Sequence, residues 1–463
     1  MILMKYYIAN QCFRRRLPRT SAFARYFSSK ERVVVLGCGW GGFRFAQDID
    51  KDKYDVVLIS PRNHFLFTPL LPSTAVGTLE FRCIQEPVRT IPGVHYIQAS
   101  CTEVNIHDRK VICKEIFKQR SFTEKFDRLV FAVGSETNTL GVPGVQNNSR
   151  VFFLKQLEHA RSIRLKMIEC FERASTPFID QTERKRLLTF VVVGGGPTNV
   201  EFASELHDFL RKDVAKWYPD LHDHVRVVVI EASGHILGSF NESLVEYVEK
   251  LFASRNIEVF TKTVVEEVKE NVAVLGDGKE LPFGVMVWST GIKQMDLVRN
   301  MPDEVCRSQG GRLQVDEHLR LQGEDGKGGI TPLGEGTVFA IGDCAGDISR
   351  PLPALAQVAS QQGKYLAHFL NNHKEEASKD IPNAPPFKYA HLGSMASVGE
   401  WKGVIDASDI DKSSKDPAKL KGFLAFALWR AAYWTKQVSF TNKLLIPMYW
   451  FKSAVFGRDI SRF

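Results

Sequence analysis

The chain has 463 residues, 44% apolar and 25% charged, with a net charge of +8. That length exceeds one ordinary core, so two or three domains are expected, and the composition excludes a disordered or low-complexity chain. Much of the positive charge lies at the two ends, so it describes those segments and gives no sign of a nucleic-acid-binding surface.

Residues 1–30 stand apart. Lys5, Arg14, Arg15, Arg16, Arg19, Arg25 and Lys30 occur with no acid before Glu31, among Ser21, Ser28 and Ser29. An acid-free, Arg-rich, Ser-containing leader reads as a mitochondrial transit peptide, with a basic tail as the alternative.

Folded sequence begins at Glu31. Arg32 to Leu36 is an apolar run expected as a buried parallel strand. Gly37-Cys38-Gly39-Trp40-Gly41-Gly42 follows, then a helix from Phe43 to about Asp50 and a strand at Val56–Ser60. In that setting Gly37 permits the tight turn, Gly39 lets backbone approach a pyrophosphate, and Gly42 lets helix and strand pack closely. The helix N-terminus then faces the anion. The acid expected after the second strand is missing. Ser60-Pro61-Arg62 stand there. Ser60 is a candidate for the ribose, and Arg62 for stacking or phosphate, or simply a solvated charge. Phe131-Ala132-Val133-Gly134 ends this first unit.

The same arrangement returns about 157 positions later. A strand at Leu188–Val193 leads into Gly194-Gly195-Gly196-Pro197-Thr198-Asn199, and a helix carries Glu201, Ala203, Leu206 and Phe209. Asn199 takes the place of the third glycine and is expected to push the helix off the strand. Glu231 ends the next strand, where a carboxylate accepts from the NAD ribose and repels the NADP phosphate. Its spacing is longer than usual, which implies a helix extended to about Tyr218-Pro219. Val287-Trp288-Ser289-Thr290-Gly291 closes the second unit. Val338–Ile341, closed by Gly342-Asp343, suggests that the chain then returns to complete the first. The expected architecture is α/β, with two Rossmann-like dinucleotide-binding domains. The first covers 31–185 and 302–384, the second 186–301, and a C-terminal domain runs from 385 to 463.

Residues 420–458 hold no acid. Phe423, Leu424, Trp429, Trp434, Leu444, Trp450 and Phe451 alternate there with Lys421, Arg430, Lys436, Lys443 and Lys452. This reads as interfacial helices lying on a membrane, not spanning it. A dimer interface is the alternative, and both roles can share the segment.

Several long motifs carry a family resemblance. They are Ser60-Pro61-Arg62-Asn63-His64-Phe65-Leu66-Phe67-Thr68-Pro69-Leu70-Leu71-Pro72, Ala132-Val133-Gly134-Ser135-Glu136-Thr137-Asn138-Thr139, Gly194-Gly195-Gly196-Pro197-Thr198 with Glu201, and Gly342-Asp343-Cys344-Ala345 followed by Ala356-Gln357-Val358-Ala359-Ser360-Gln361-Gln362-Gly363. With these the chain resembles the mitochondrial type II NADH dehydrogenases, single-chain NADH:quinone oxidoreductases that are rotenone-insensitive and pump no protons. The resemblance covers nearly everything after residue 30. It implies non-covalent FAD in the first unit and NADH in the second, with hydride passing to the flavin and two electrons then passing to ubiquinone. It places Gly342 and Asp343 at the flavin's ribitol and pyrophosphate, and Glu201 near the nicotinamide. Gln357 and Gln361, one turn apart on one helix face, would line the quinone pocket. It also implies a peripheral protein of the mitochondrial inner membrane, expected as a homodimer.

The alternatives belong to other classes. A flavin disulfide reductase or a sulfide:quinone oxidoreductase needs paired reactive cysteines. The eight cysteines here (Cys12, Cys38, Cys83, Cys101, Cys113, Cys170, Cys306 and Cys344) are scattered without a C-x-x-C, which also argues against a metal cluster. A non-catalytic subunit of a respiratory assembly is invited only by Asn199.

Overall fold

A computed structural model describes residues 30–326, 328–373, 384–408, 410 and 419–461. Apart from Lys30, the expected transit segment lies outside them. The first sheet has seven strands, in the spatial order Val338–Ala340, Arg128–Phe131, Glu31–Leu36, Tyr54–Ser60, Val94–Asn105, Lys110–Glu115 and Ser121–Lys125. The first five pair in parallel and the last two form an antiparallel flap. Val33, Val34 and Val35 are fully buried, as a strand covered on both faces requires. A second, all-parallel sheet runs Val151–Phe153, Val285–Trp288, Thr189–Val193, Arg226–Ile230 and Ile257–Phe260.

Six helices matter below: α1 (Trp40–Asp48), α2 (Leu157–Ala174), α3 (Pro197–Phe209), α4 (Ala356–Asn372), α5 (Phe423–Thr435) and α6 (Phe440–Phe456). Beyond α3 the chain stays helical through a wide turn at Leu210–Val214 as far as Trp217, which accounts for the long spacing before Glu231. The C-terminal unit is an antiparallel sheet of Ser394–Ser397, Gly403–Asp406 and Lys419–Gly422, followed by α5 and α6. Among the described residues, no helix is long and apolar enough to cross a membrane.

One boundary differs from expectation. Val151–Phe153 belongs to the second sheet, so the crossing between units falls near residue 150 rather than 185. A three-residue strand carries too little periodicity to be read in advance. The strand Val338–Ala340 pairs with Arg128–Phe131, which returns the chain to the first sheet.

The three units meet around Arg458. Its Nη1 lies 2.9 Å from Asp213 Oδ2 and its Nη2 3.4 Å from Glu205 Oε2, all three side chains being largely buried. Nε donates to Thr78 Oγ1, while Ser73 and Thr78 donate to Glu205. Removing the cation strands two buried carboxylates, a change that typically costs about 3–5 kcal/mol. Arg458→Met is therefore expected to lower unfolding free energy by about that amount in urea. A loss no larger than that of an exposed surface substitution would show that water screens the cluster.

Candidate functional site

The first glycine turn lies at the carboxyl ends of the central parallel strands, beside Glu31–Leu36, where the strand order reverses. Ligands of open α/β sheets bind at such a switch point. Gly37 has φ +105° and its N–H donates to Ile59 O. A Cβ on Gly42 would lie 2.0 Å from Gly37 O, so protein packing alone demands glycine there. A Cβ on Gly39 or Gly134 would meet no protein atom within 4 Å. Glycine at those two positions thus leaves an open cradle at the mouth of a helix N-terminus, which fits a dinucleotide pyrophosphate.

Ser60 and Arg62, in the loop after the second strand, have protein partners of their own. Ser60 is buried, donating to Cys38 Sγ and accepting from Arg62 N. Its hydroxyl thus braces the loop. Arg62 is half-buried, and its Nη1 donates to Gln156 Oε1 at 2.7 Å, just before α2. Next to it Asp343 is joined to two groups that sequence reasoning did not single out, Ser135 and Lys155. Lys155 Nζ donates to Ser135 Oγ, and Ser135 Oγ donates to Asp343 Oδ2, both at 2.8 Å. Burial pushes the Lys155 ammonium down, with Asp343 opposing. Gln362, also missed, is buried and accepts from Gly342 N at 2.7 Å. The neighbouring Gly134 and Gly342 both have positive φ.

In the second turn, Gly194 has φ +107° and Gly196 faces open space like Gly39. Asn199 is fully buried, and its Nδ2 donates to both Val193 O and Gly194 O at 2.8 Å. The amide therefore fills the space between helix and strand and bonds them together, where it had been expected only to wedge them apart. Glu231 follows its strand directly. Its carboxylate accepts from Gly195 N and, at 2.7 Å, from Ser233 N. Gly291 sits against Asn138, its Cβ position 3.3 Å from that side chain.

Glu201, on α3, is buried and not an exposed helix acid. Its Oε1 accepts from Ser397 N at 3.1 Å and Trp429 Nε1 at 3.0 Å, joining the second unit to the C-terminal one. Burial pushes its carboxyl up to about 8. Gln357 and Gln361 do share one face of α4. Their amides are engaged with the backbone of residues 390–393, Gln361 donating to and accepting from Ala390, and Gln357 accepting from Leu392 N and donating to Gly393 O.

The described cysteines are free thiols. Cys38, next to the first turn, donates to Arg62 O and His64 O, and burial raises its pKa. Cys344 is buried and raised to about 11. Cys101 and Cys113 do face each other, but on the antiparallel flap rather than beside a glycine turn.

Comparison with known proteins agrees with this geometry. Residues 31–363 match the pyridine nucleotide-disulphide oxidoreductases, and residues 391–459 match the NDH2 C-terminal domain. The chain is 44% identical to a "Probable NADH dehydrogenase" of Dictyostelium discoideum, over 94% of this chain and 91% of that protein. It is 40% identical to the "Internal alternative NAD(P)H-ubiquinone oxidoreductase A1, mitochondrial" of Arabidopsis thaliana, over 94% and 86% respectively. The structure of NDH2 from Plasmodium falciparum in complex with NADH superposes with a TM-score of 0.84 at 26% identity, covering 93% of this chain and 100% of that one. The Aquifex aeolicus sulfide:quinone oxidoreductase shares the fold, at TM-score 0.66 and 19% identity. Two nucleotide-type turns on two parallel sheets define an oxidoreductase of the pyridine nucleotide-disulphide class. Within that class the chain belongs to the type II NADH dehydrogenase family.

Three outcomes follow from the geometry. Gly39→Val is expected to fold, since open space receives its side chain, yet to lose dinucleotide binding, read by equilibrium titration, whereas Gly42→Ala should lose stability because backbone must move. Asn199→Asp sets an acceptor against two carbonyls and is expected to cost about 1–3 kcal/mol of stability, read by urea unfolding. For Glu201 the folded state binds the proton more tightly than the unfolded state. Stability is therefore fully present below its ordinary pKa of 4.5 and is lost as pH rises to about 8. Glu201→Gln should flatten the fall of melting temperature across that window. An unchanged slope would place the Glu201 pKa in the ordinary carboxyl range.

Proposed function

We propose that the chain is a peripheral enzyme of the mitochondrial inner membrane that oxidises NADH and reduces ubiquinone, with FAD held in the first unit. The pair of open glycine cradles carries this reading, because two cradles on two sheets suit two dinucleotides. FAD in the first cradle supplies hydride acceptance followed by release of two electrons.

The chain's own groups hold and orient. Gly39 and Gly134 leave room for the pyrophosphate, Lys155 offers it positive charge, and Asp343, held by Ser135, stands beside Gly342 for the ribitol hydroxyls. Arg62, tied to Gln156, borders the same loop. In the second unit Gly196 and the α3 N-terminus receive the NADH pyrophosphate. Glu231 accepts from ribose hydroxyls and disfavours a 2′-phosphate. Quinone reduction consumes protons, and Glu201 is suited to keep one. Both of its hydrogen bonds fall on Oε1, which leaves Oε2 to carry the proton at neutral pH. Gln357 and Gln361 brace the 390–393 segment and so shape the wall on the quinone side. No side-chain nucleophile is required.

Membrane attachment is assigned to α5 and α6. Phe423, Leu424 and Leu428 on the first, and Leu444, Met448, Phe451 and Val455 on the second, are exposed. Helices with such apolar faces and flanking Lys and Trp lie in the interface plane. A second copy shares part of this face in a homodimer.

Anaerobic mixing with NADH is expected to bleach the bound flavin, faster than NADPH does because of Glu231, and a short-chain ubiquinone should restore its colour. If NADH leaves the flavin oxidised, the enzymatic reading fails. If it bleaches but ubiquinone does not restore it, the acceptor is wrong.

A further inference from the structure

A small cavity lies between the second unit and the two C-terminal helices, away from both glycine turns. It encloses about 40 Å³ of solvent space, room for roughly three waters and hence for one phosphate group. Arg430 of α5 occupies its wall. The guanidinium carbon stands 4.4 Å from the ring centroid of Trp450, 4.6 Å from Phe426 and 4.9 Å from Trp401. Its Nε is buried without an acceptor, and no ion pair reaches the guanidinium among the described residues. Aromatic faces stabilise a cation without neutralising it, so the positive charge is still available to an anion. Exposed Lys212 adds a second charge beside Trp401.

The acids that line the cavity are already satisfied. Glu205 is held by Ser73, Thr78 and Arg458. Asp208 accepts from Glu400 N. The cavity also opens beside the face assigned to the membrane. Ser453 and Ala454 of α6 line it, while Phe451 and Val455, next to them, are exposed apolar residues. Basic and aromatic groups together at the rim of an apolar face are what headgroup-level recognition uses.

We propose that this cavity takes the headgroup phosphate of an anionic phospholipid, whose acyl chains then lie along α5 and α6. The proposal rests on the membrane reading above. The test is co-sedimentation of the full-length flavoprotein with phosphatidylcholine vesicles and with vesicles that also contain phosphatidylglycerol. Wild type is expected to prefer the anionic vesicles. Arg430→Met and Lys212→Met should each reduce that preference about fivefold, the weight of one interfacial charge. Lys216→Met, which removes an exposed cation one turn from Lys212 but outside the cavity and outside α5 and α6, should leave it within about twofold. Lys212 is exposed, so its variant folds even if Arg430→Met does not. Equal loss from Lys216→Met would mean diffuse attraction and overturn the site. Release by inorganic phosphate, beyond that caused by chloride of matched ionic strength, would make free phosphate the ligand and overturn the lipid. Equal binding to both vesicle types overturns the headgroup site but leaves the membrane reading standing. Binding to neither overturns both.

Discussion

The constraint on which the rest of the molecule depends is the close approach of backbone around α1. On one side Gly42 rests against Gly37 O. On the other, a Cβ on Gly363 of α4 would lie 2.3 Å from Gly41 O. No side chain fits in either place, so α1 is pressed between its own strand and α4. That compression aims the α1 N-terminus at the open positions Gly39 and Gly134. It also sets α4 so that Gln362 reaches Gly342 N, while Gln357 and Gln361 reach the C-terminal segment. One steric requirement therefore positions the nucleotide cradle and the wall beside it together.

The second turn reaches the same end by different physics. Asn199 replaces contact with hydrogen bonding: its amide spans the distance that glycine would otherwise close. Its Oδ1 is buried without a partner, a cost set against two well-placed donations. The doubt that Asn199 casts on a working second site therefore loses its steric basis. From α3 the connection continues through Glu201 to Ser397 and Trp429, so the helix that starts at the NADH-type turn touches α5 within its first two turns.

Much of this was legible in sequence because it is local. The apolar runs before Gly37 and Gly194, and the acid at Glu231, mark strand, turn and helix without tertiary knowledge. The motif from Ser60 to Pro72 was read for its polar residues, yet its main work is packing: Phe65, Leu66, Phe67, Leu70 and Leu71 are buried. Phe65 stacks on Phe43 and Phe67 meets Tyr433. Ser60 also reaches Cys38, a contact that nothing local in the sequence reveals. Lys155 gives no local signal because Ser135 lies 20 positions before it and Asp343 lies 208 positions beyond Ser135, both outside any helical or strand period. The strand at Val151–Phe153 is defined by its neighbour in the second sheet and hardly by its own residues. Long-range pairing, in each case, decided what local pattern left open.

The Arg458 cluster has a consequence for the order in which the protein assembles. It joins Ser73 and Thr78, near the start of the folded chain, to Glu205 and Asp213 in the middle and to a segment synthesised after all of them. Arg164 is likewise paired with both Glu80 and Asp459. Both nucleotide-type sheets are complete in sequence by Ala340, so each can form while later residues are still emerging. Contacts across the seam between them, such as those from Ser73 and Thr78 to Glu205, can form then, but its cation has not yet been made. Glu205 and Asp213 therefore gain their buried counter-charge only as Arg458 arrives.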